Sequence, residues 1–243
     1  SYEASSVQAF AAAGDPSLLR VAQVDYVKPE QMQSMEFGFR GKLSRTFTVD
    51  AAVYRNDFQD FINTQVVLSP LYGEVGDGGL SVLAMANGDF ETWSSYTNSP
   101  AEISSWGMSI GMSTKIFGDF DLSGSYTKSE LEFEQALYPD FRTNWNTPEH
   151  KIKAQFGNTE LFKNFGFNVA WRYWSEYLWQ ASFGDGMVPE THVIDAQFNL
   201  TVPKWKSTIK VGATNLGGEE YFTAFGSGFI GTQYYISWTA NNF

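Results

Sequence analysis

Cysteine is absent from the 243-residue chain, so no disulfide or thiolate metal site can stabilise it. Histidine is scarce too, with only His150 and His192. No run of about 18 apolar residues occurs, and we therefore expect no transmembrane helix. Basic residues number 16 against 27 acidic ones, for a net charge of −11. The sequence shows no basic patch that would neutralise phosphates, which argues against nucleic acid as a partner.

The sequence also lacks the residue constellations of an enzyme. Its one G-x-S-x-G match, GMSIG (107–111), lies inside the predicted strand 100–116 and not at the strand-to-helix turn that a nucleophile elbow requires. The glycine-rich stretches 73–79 and 184–186 lack the spaced acidic ligands of a calcium loop. His150 and His192 each have one carboxylate nearby, which is fewer ligands than a metal site needs, and we interpret both as surface or hydrogen-bonded histidines. We expect no catalytic residue, no metal site and no cofactor.

Period-2 alternation is the dominant pattern that is present. In FDLSGSYT (120–127) apolar residues occupy the even positions and polar residues the odd ones, and IDAQFNLT (194–201) repeats the pattern. We find no helical periodicity, because the alanines at 11–13 are followed at once by glycine and proline. The alternation predicts an all-β chain in which residues 1–30 are irregular. The nine predicted strands are 31–43, 46–62, 100–116, 119–135, 149–158, 164–180, 190–202, 206–215 and 232–242.

The connections between these strands alternate between short and long. The short ones lie near 44–45, 117–118, 159–163 and 203–205, and the long ones at 63–99, 136–148, 181–189 and 216–231. Outer-membrane barrels have short periplasmic turns and long extracellular loops. A Greek-key sandwich distributes its long connections less regularly. The pattern favours an antiparallel transmembrane β-barrel.

In a membrane barrel, apolar side chains face lipid and polar side chains face the lumen. The alternation predicts the two sets of residues. The lipid-facing set is Phe39, Met108, Ile110, Leu122, Val169, Phe198, Val211 and Ile236. The lumen-facing set is Arg40, Ser109, Ser123, Asn168, Asn199 and Lys210. A sandwich would instead bury the apolar faces between two sheets. The aromatic content of 17% fits either the interfacial girdles of a barrel or a sugar-binding sandwich.

Strand direction predicts where the two ends of the chain lie. Strand 232–242 follows a long loop and runs toward the short-turn side, so with nine strands residue 1 lies on the long-loop side. Bacterial single-chain barrels have an even number of strands. We therefore interpret 1–30 as an extracellular loop or the end of a preceding strand, and 31–243 as the C-terminal part of a longer barrel. Strands 31–43 and 232–242 would meet in parallel, and we expect them not to pair with each other.

Candidate ligand-binding residues come from the aromatic cluster WRYWSEYLW (171–179). Alternation directs Trp171 and Tyr173 toward lipid near the outer interface, and Trp174 toward the lumen. We select Trp174, Tyr177 and Trp179 as an aromatic platform, because stacking on sugars or aromatic cargo requires exposed rings. Ordinary packing of the same rings within the loops is the alternative interpretation.

Several segments, taken in order, resemble those of one protein family. They are KPEQMQSMEFGFRG, VDAAVYRNDFQDFI, YTNSPAEISSWGMSIGMS, FRTNWNTPEHKIKAQFGN, NFGFNVAWRYWSEYLWQASFGDGMVPETHVIDAQFNL and IKVGATNLGGEEYFTAFGSGFIGTQYYISWT. Together they cover 28–240, and the series resembles the TonB-dependent outer-membrane receptors of Bacteroidetes-type bacteria. The last residue, Phe243, resembles the C-terminal aromatic residue that serves as the assembly signal of such barrels.

This resemblance implies a barrel of about twenty-two strands closed by an N-terminal plug, located in the outer membrane of a Gram-negative bacterium. It implies import of a scarce bulky solute (a ferric chelate, an oligosaccharide or a peptide) powered through the TonB complex. The implied partners are membrane lipid, the rest of the barrel with its plug, the TonB complex and a surface lipoprotein. Two alternatives stay open from the residues alone. One is a soluble or surface β-sandwich that binds carbohydrate, and the other is a barrel with another role, such as a passive pore or a component of a secretion assembly.

Overall fold

A single antiparallel sheet of nine strands dominates the computed structural model, which describes residues 1–240. The strands, in chain order, are β1 (Tyr2–Glu3), β2 (Gln31–Lys42), β3 (Thr48–Gln59), β4 (Ile62–Pro70), β5 (Phe90–Asn98), β6 (Ile103–Ile116), β7 (Phe120–Glu132), β8 (Phe141–Arg142), β9 (His150–Phe162), β10 (Phe165–Trp174), β11 (Tyr177–Ala181), β12 (Gly184–Val188), β13 (Thr191–Val202), β14 (Ser207–Thr214) and β15 (Gln233–Ala240). The main sheet has the order β15-β14-β13-β10-β9-β7-β6-β3-β2. Each of the nine predicted segments overlaps one strand of this sheet.

Tight turns join the strands at one end of the main sheet. Between β6 and β7 the chain reverses at Phe117 and Gly118, whose φ angles of 47° and 93° are both left-handed. Positive φ at consecutive turn positions matches the right-handed twist of the two strands, and glycine adopts it without a steric penalty. Asn164, with a φ of 67°, occupies the corresponding turn between β9 and β10.

The strand registers sort the side chains onto two chemically different faces. Directly opposed residues of an antiparallel sheet point to the same face. Phe39 lies opposite Ala51, which lies opposite Ile110, whereas the neighbouring row pairs Arg40 with Asp50. Following these pairs across the sheet puts the eight residues of the lipid-facing set on one face, here called the apolar face. The six residues of the lumen-facing set lie on the opposite, polar face.

Nothing within residues 1–240 covers the apolar face. Each of the eight apolar side chains is at least 37% exposed, and Ile236 reaches 76%. The buried hydrophobic cluster lies elsewhere and consists of Tyr2, Val7, Phe10, Leu68 and Met85. The nine-stranded sheet therefore does not fold around a core of its own, as the sheets of a sandwich do.

The long connections form a second structural layer at the other end of the sheet. We call it the loop layer and define it as residues 1–30, 60–102, 133–149, 175–190 and 215–232. It holds a four-stranded sheet of β1, β4, β5 and β8, and the hairpin β11–β12. Its helices are α1 (Ala4–Ala13) and α2 (Leu80–Asn87), and 3-10 turns occur at Pro16–Leu18 and Gln135–Leu137, with a third at Pro203–Trp205 outside the layer. None of the helices in the described part of the chain is long and apolar enough to span a membrane.

The secondary structure of the loop layer differs from several expectations that were drawn from the sequence. Residues 1–30 are irregular only in part: 19–30 contain no helix or strand, but α1 forms in the alanine-rich segment ASSVQAFAAA and ends at Gly14, a left-handed residue with a φ of 68°. The connection at 63–99 contains β4, α2 and β5 rather than an unstructured loop. The predicted strand 164–180 is two strands, β10 and β11, which belong to different sheets. The chain thus has more strands than the nine predicted. Phe243 lies outside the described residues.

The two end strands of the main sheet are not paired with each other within residues 1–240. β2 is bonded only to β3, and β15 only to β14. Both run from the loop layer toward the tight turns, so a direct contact between them would be parallel. The sheet is open.

Candidate solute-binding site at the loop end of the sheet

A buried carboxylate joins the N-terminal helix to the connection at 133–149. Asp140, 8% exposed, accepts hydrogen bonds from the Ser5 amide and the Ser5 hydroxyl, each at 2.6 Å. The N-cap residue of α1, Glu3, makes no side-chain cap. Asp140 therefore caps the helix from a distant part of the chain and interacts favourably with the positive end of its dipole. Its carbonyl accepts from the Val66 amide at 2.9 Å, which fixes β4 as well.

The turn before α2 is built around Asp77. Its carboxylate accepts from the Gly79 amide at 2.9 Å, the Ser81 hydroxyl at 2.8 Å and the Glu74 amide at 3.2 Å. These hydrogen bonds, with that from Gly79 the strongest, favour the charged carboxylate and lower the pKa of Asp77 below its usual 3.8. The Ser81 hydroxyl also lies 2.9 Å from the Tyr2 hydroxyl, so the turn is attached to β1.

The hairpin β11–β12 contacts two other segments of the loop layer, 133–149 and 215–232. The Asn146 side chain accepts from the Gln180 amide at 2.7 Å and donates to the Gln180 carbonyl at 3.0 Å. Arg142 forms an ion pair with Asp185 at 3.2 Å. On the other side of the hairpin the Phe225 ring packs over Gly186. The loops therefore form a cross-linked surface, which orients their side chains over the end of the sheet.

The three predicted ligand-binding aromatic residues occupy two neighbouring places. Tyr177 and Trp179 lie together on β11, with ring centroids 6.5 Å apart, and the Tyr177 hydroxyl donates to the Thr223 carbonyl at 2.7 Å. Burial raises the pKa of Tyr177. Trp174 ends β10 and packs edge-on against Tyr221 at 5.5 Å. Among the described residues no ring contact joins Trp174 to the other two, but Trp174 and Tyr177 both contact the connection at 216–231.

Tyr221 is a residue that sequence reasoning missed. It lies in an irregular connection, where no periodicity assigns a side chain to a face, and only the folded chain brings it to Trp174. The Trp174 Nε1 atom is buried and has no hydrogen-bond partner within residues 1–240. A buried donor of this kind costs free energy unless water or a ligand accepts from it.

Both histidines lie on the apolar face, beside aromatic rings. The Nδ1 atom of His150 is 2.8 Å from the Tyr126 hydroxyl. His192 packs between Trp171 and Tyr173, with ring centroids 5.9 and 4.8 Å away. Within residues 1–240 no group of three or more histidine and carboxylate side chains is arranged to hold a metal ion.

The polar face has more cationic than anionic side chains, although the whole chain is acidic. By register its cations are Arg40, Lys42, Lys115, Lys151, Lys153, Arg172 and Lys210, and its anions are Glu36, Asp50, Asp121 and Asp195. Three of the four anions form ion pairs with a neighbouring cation: Arg40 with Asp50, Lys115 with Asp121 at 3.3 Å, and Arg172 with Asp195 at 2.8 Å. The polar face therefore carries a surplus of positive charge.

The apolar and polar faces, with structured loops at one end only, are typical of the wall of an outer-membrane barrel. The sequence matches the family described as TonB dependent receptor-like, beta-barrel over residues 1–216. The chain belongs to this family. No curated protein matches the sequence.

Solved structures of similar fold come from the same class of protein. The copper transporter OprC superposes with a TM-score of 0.60 at 15% identity, over 88% of this chain and 31% of that one. The siderophore receptor PirA from Acinetobacter baumannii gives 0.58 at 14% identity, over 87% and 32%. The iron transporter FrpB from Neisseria meningitidis gives 0.59 at 14%, over 88% and 31%. At these identities the likeness concerns the fold, and the chain spans about a third of the length of each.

Proposed function

We propose that this chain is the C-terminal part of the barrel of a Bacteroidetes-type receptor, which imports a scarce bulky solute across the outer membrane of a Gram-negative bacterium. The solute class is a ferric chelate, an oligosaccharide or a peptide. Family membership supports a receptor barrel, and the ordered series of resembling segments supports the Bacteroidetes type. Relatives of similar fold include transporters and receptors for copper, siderophores and iron.

The uncovered apolar face is the observation that carries the proposal. Side chains such as Phe39, Phe198 and Ile236 are 56%, 54% and 76% exposed, and all lie on one face. A contiguous apolar surface of this size is unfavourable in water. Contact with lipid removes this unfavourable exposure to water, and we assign the residues of the lipid-facing set to that contact. The polar face then lines the lumen.

The two alternatives fit the structure less well. A carbohydrate-binding sandwich packs two sheets face to face, whereas the nine alternating segments here form one sheet. A passive pore or a secretion component would use the same wall, but the family match favours a receptor. We further propose that the outer edges of β2 and β15 pair with other strands of the complete barrel, because open strand edges are not tolerated in lipid.

Partners follow from the receptor assignment. We propose that the complete protein carries a plug inside the barrel and that the TonB complex drives transport. Trp174, Tyr177 and Trp179 remain our candidates for solute contact at the outer mouth. No described residue and no relative supports a surface lipoprotein as a partner, and the proposal does not include one.

Membrane fractionation combined with uptake tests the proposal. The complete protein should appear in the outer-membrane fraction. Cells lacking its gene should lose uptake of one member of a panel containing a ferric chelate, an oligosaccharide and a peptide. Cells lacking TonB should lose the same member, and restoring the receptor gene to the first strain should restore it. A protein found in the soluble fraction, or uptake unaffected by loss of TonB, would contradict it.

A further inference from the structure

Two lysines at the loop end of the polar face have no partner within residues 1–240. Lys151 and Lys153 lie two residues apart on β9 and therefore point to the same side of the sheet. Their neighbours across β7 are Thr127 and Ser125, which carry no charge. No other side chain or backbone group of residues 1–240 forms an ion pair or a hydrogen bond with either ammonium group. Two ammonium groups so close together repel each other unless an anion lies between them.

Several other cations of the sheet are held in ion pairs. Lys115 contacts Asp121 at 3.3 Å, and on the apolar face Lys128 contacts Glu130 at 3.0 Å. With 27 acidic residues in the chain, carboxylates are plentiful. Lys42 and Lys210 also lack an ion pair within residues 1–240, but among the unpaired polar-face cations of these residues only Lys151 and Lys153 lie two positions apart on one strand.

The groups around the two lysines form the rest of a site. Across β10, Lys153 lies opposite Arg172 and Lys151 lies opposite Trp174. Arg172 is held by Asp195, whose other carboxylate oxygen accepts from the Asn215 amide at 3.0 Å. Arg172 is thus neutralised and oriented, while the lysines are not. By register, Trp174 lies directly opposite Lys151 and therefore on the same face of the sheet.

We propose that Lys151 and Lys153, beside Trp174, bind a solute that carries at least two carboxylate or phosphate groups. This inference rests on the proposed function and narrows its substrate to an anionic solute. An ammonium group donates up to three hydrogen bonds, and charge-assisted bonds to carboxylate or phosphate are stronger than neutral ones. The solute charge also removes the repulsion between the lysines.

Two other anions are candidates to contact the lysines, namely the phosphates of membrane lipid and an acidic segment of the plug. The position of the lysines favours a solute over both. Lys151 is the second residue of β9 from the loop end, so a molecule that enters through the loops reaches it first. Lipid phosphates lie against the opposite face, where Lys128 is already paired with Glu130 and Glu149. An acidic segment of the plug is the remaining occupant, and the test below separates it from a solute.

The acidic loops above the site do not prevent anion binding. Several of their carboxylates are bound locally: Asp77 by its own turn, Asp140 by Ser5, and Asp185 by Arg142. Salt screens charges separated by more than about 8 Å at physiological ionic strength. The lysines act on a bound anion at contact distance, where screening is weak.

Calorimetric titration of the complete purified receptor tests the site with two probes, citrate and pyrophosphate, and with maltotriose as the neutral control. We expect the receptor to bind at least one anion, and added salt to weaken that binding. The double variant Lys151→Gln, Lys153→Gln should lower the affinity about tenfold or more, because two charge-assisted contacts are lost. The matched control is Lys210→Gln, which removes an equally unpaired polar-face lysine nearer the tight turns and should leave the affinity within about twofold.

Three outcomes overturn the proposal. They are failure of both anions to bind the unmodified receptor, unchanged anion affinity in the double variant, and an equal loss in Lys210→Gln. A double variant that lowers the melting temperature of the solute-free receptor while keeping its anion affinity would show that the lysines stabilise the protein itself, for example through the plug, and would also overturn the proposal. Membrane fractionation separates this failure from that of the proposed function. A receptor that is located in the outer membrane but binds neither anion refutes only the site.

Discussion

Val211→Arg distinguishes a lipid-facing sheet from a water-exposed one. Val211 lies on β14 opposite Phe198 and Ile236, all three on the apolar face. Val211 is the fifth of the eight residues of β14, and Ile236 is the fourth of the eight residues of β15. Both therefore lie near the middle of their strands, which places Val211 near the middle of the apolar band.

The expected cost of this substitution follows from its depth. An arginine at the midplane of a membrane barrel destabilises it by about 2–4 kcal/mol, which lowers the folding equilibrium constant roughly 30-fold to 700-fold. Val211 is 49% exposed in the isolated chain, so in water the same arginine would be solvated and nearly neutral, within about 0.5 kcal/mol. The two environments thus predict clearly different results for one variant.

Denaturant unfolding of the complete receptor in lipid vesicles measures this difference. Lys210→Gln, at the adjacent position on the polar face, is the control and should change stability by much less than Val211→Arg. A Val211→Arg variant as stable as the unmodified protein would refute the assignment of the apolar face to lipid. So would equal losses in the two variants.

Three further predictions concern the loop layer. Asp140→Ala removes the cap of α1 and should lower the local stability of that helix by about 2 kcal/mol, seen as faster amide exchange around Ser5, and unchanged exchange would show that the carboxylate does not cap it. Trp174→Ala and Trp179→Ala in the complete receptor should each weaken solute binding measured by titration, and unchanged affinity in both would exclude them from the site. The lowered pKa of Asp77 means that its charged form stabilises the folded turn, so this contribution is present above the unfolded pKa near 3.8 and is lost as pH falls through the lower folded pKa. Amide protection of the turn should therefore persist at pH 5 and decrease only below about pH 3.8, whereas a decrease that begins at pH 6 would contradict it.

The strands of the main sheet were predictable because each alternates with a period of two. That period is local, and in FDLSGSYT it can be read from eight consecutive residues. The loop layer was not predictable in this way. β4 reads INTQVVLSP, which does not alternate, because both of its faces are buried: Asn63, Thr64 and Gln65 are buried in succession, and so are Val67 and Leu68. The strand is held by partners that are distant in the sequence. Leu68 of β4, for example, lies opposite Tyr2 of β1.

The candidate site, too, was predictable from the sequence only in part. The phase of strand 149–158 implies that Lys151 and Lys153 share a face, so the sequence already contained the charge cluster. Which cations are neutralised was not readable, because an ion pair such as Arg172 with Asp195 depends on the register between β10 and β13. The contact of Trp174 with Tyr221 likewise depends on how the connection at 216–231 returns over the sheet.

The sequence by itself determined the two-faced strands, the alternation of short and long connections and the direction of each strand, because these depend on residues adjacent in the chain. Only the tertiary structure decided the cross-linked loop layer, the helix capped by Asp140 and the lysines without partners. These features depend on contacts between residues as far apart as Ser5 and Asp140, and such contacts are set by the folded arrangement of the whole chain rather than by any local pattern.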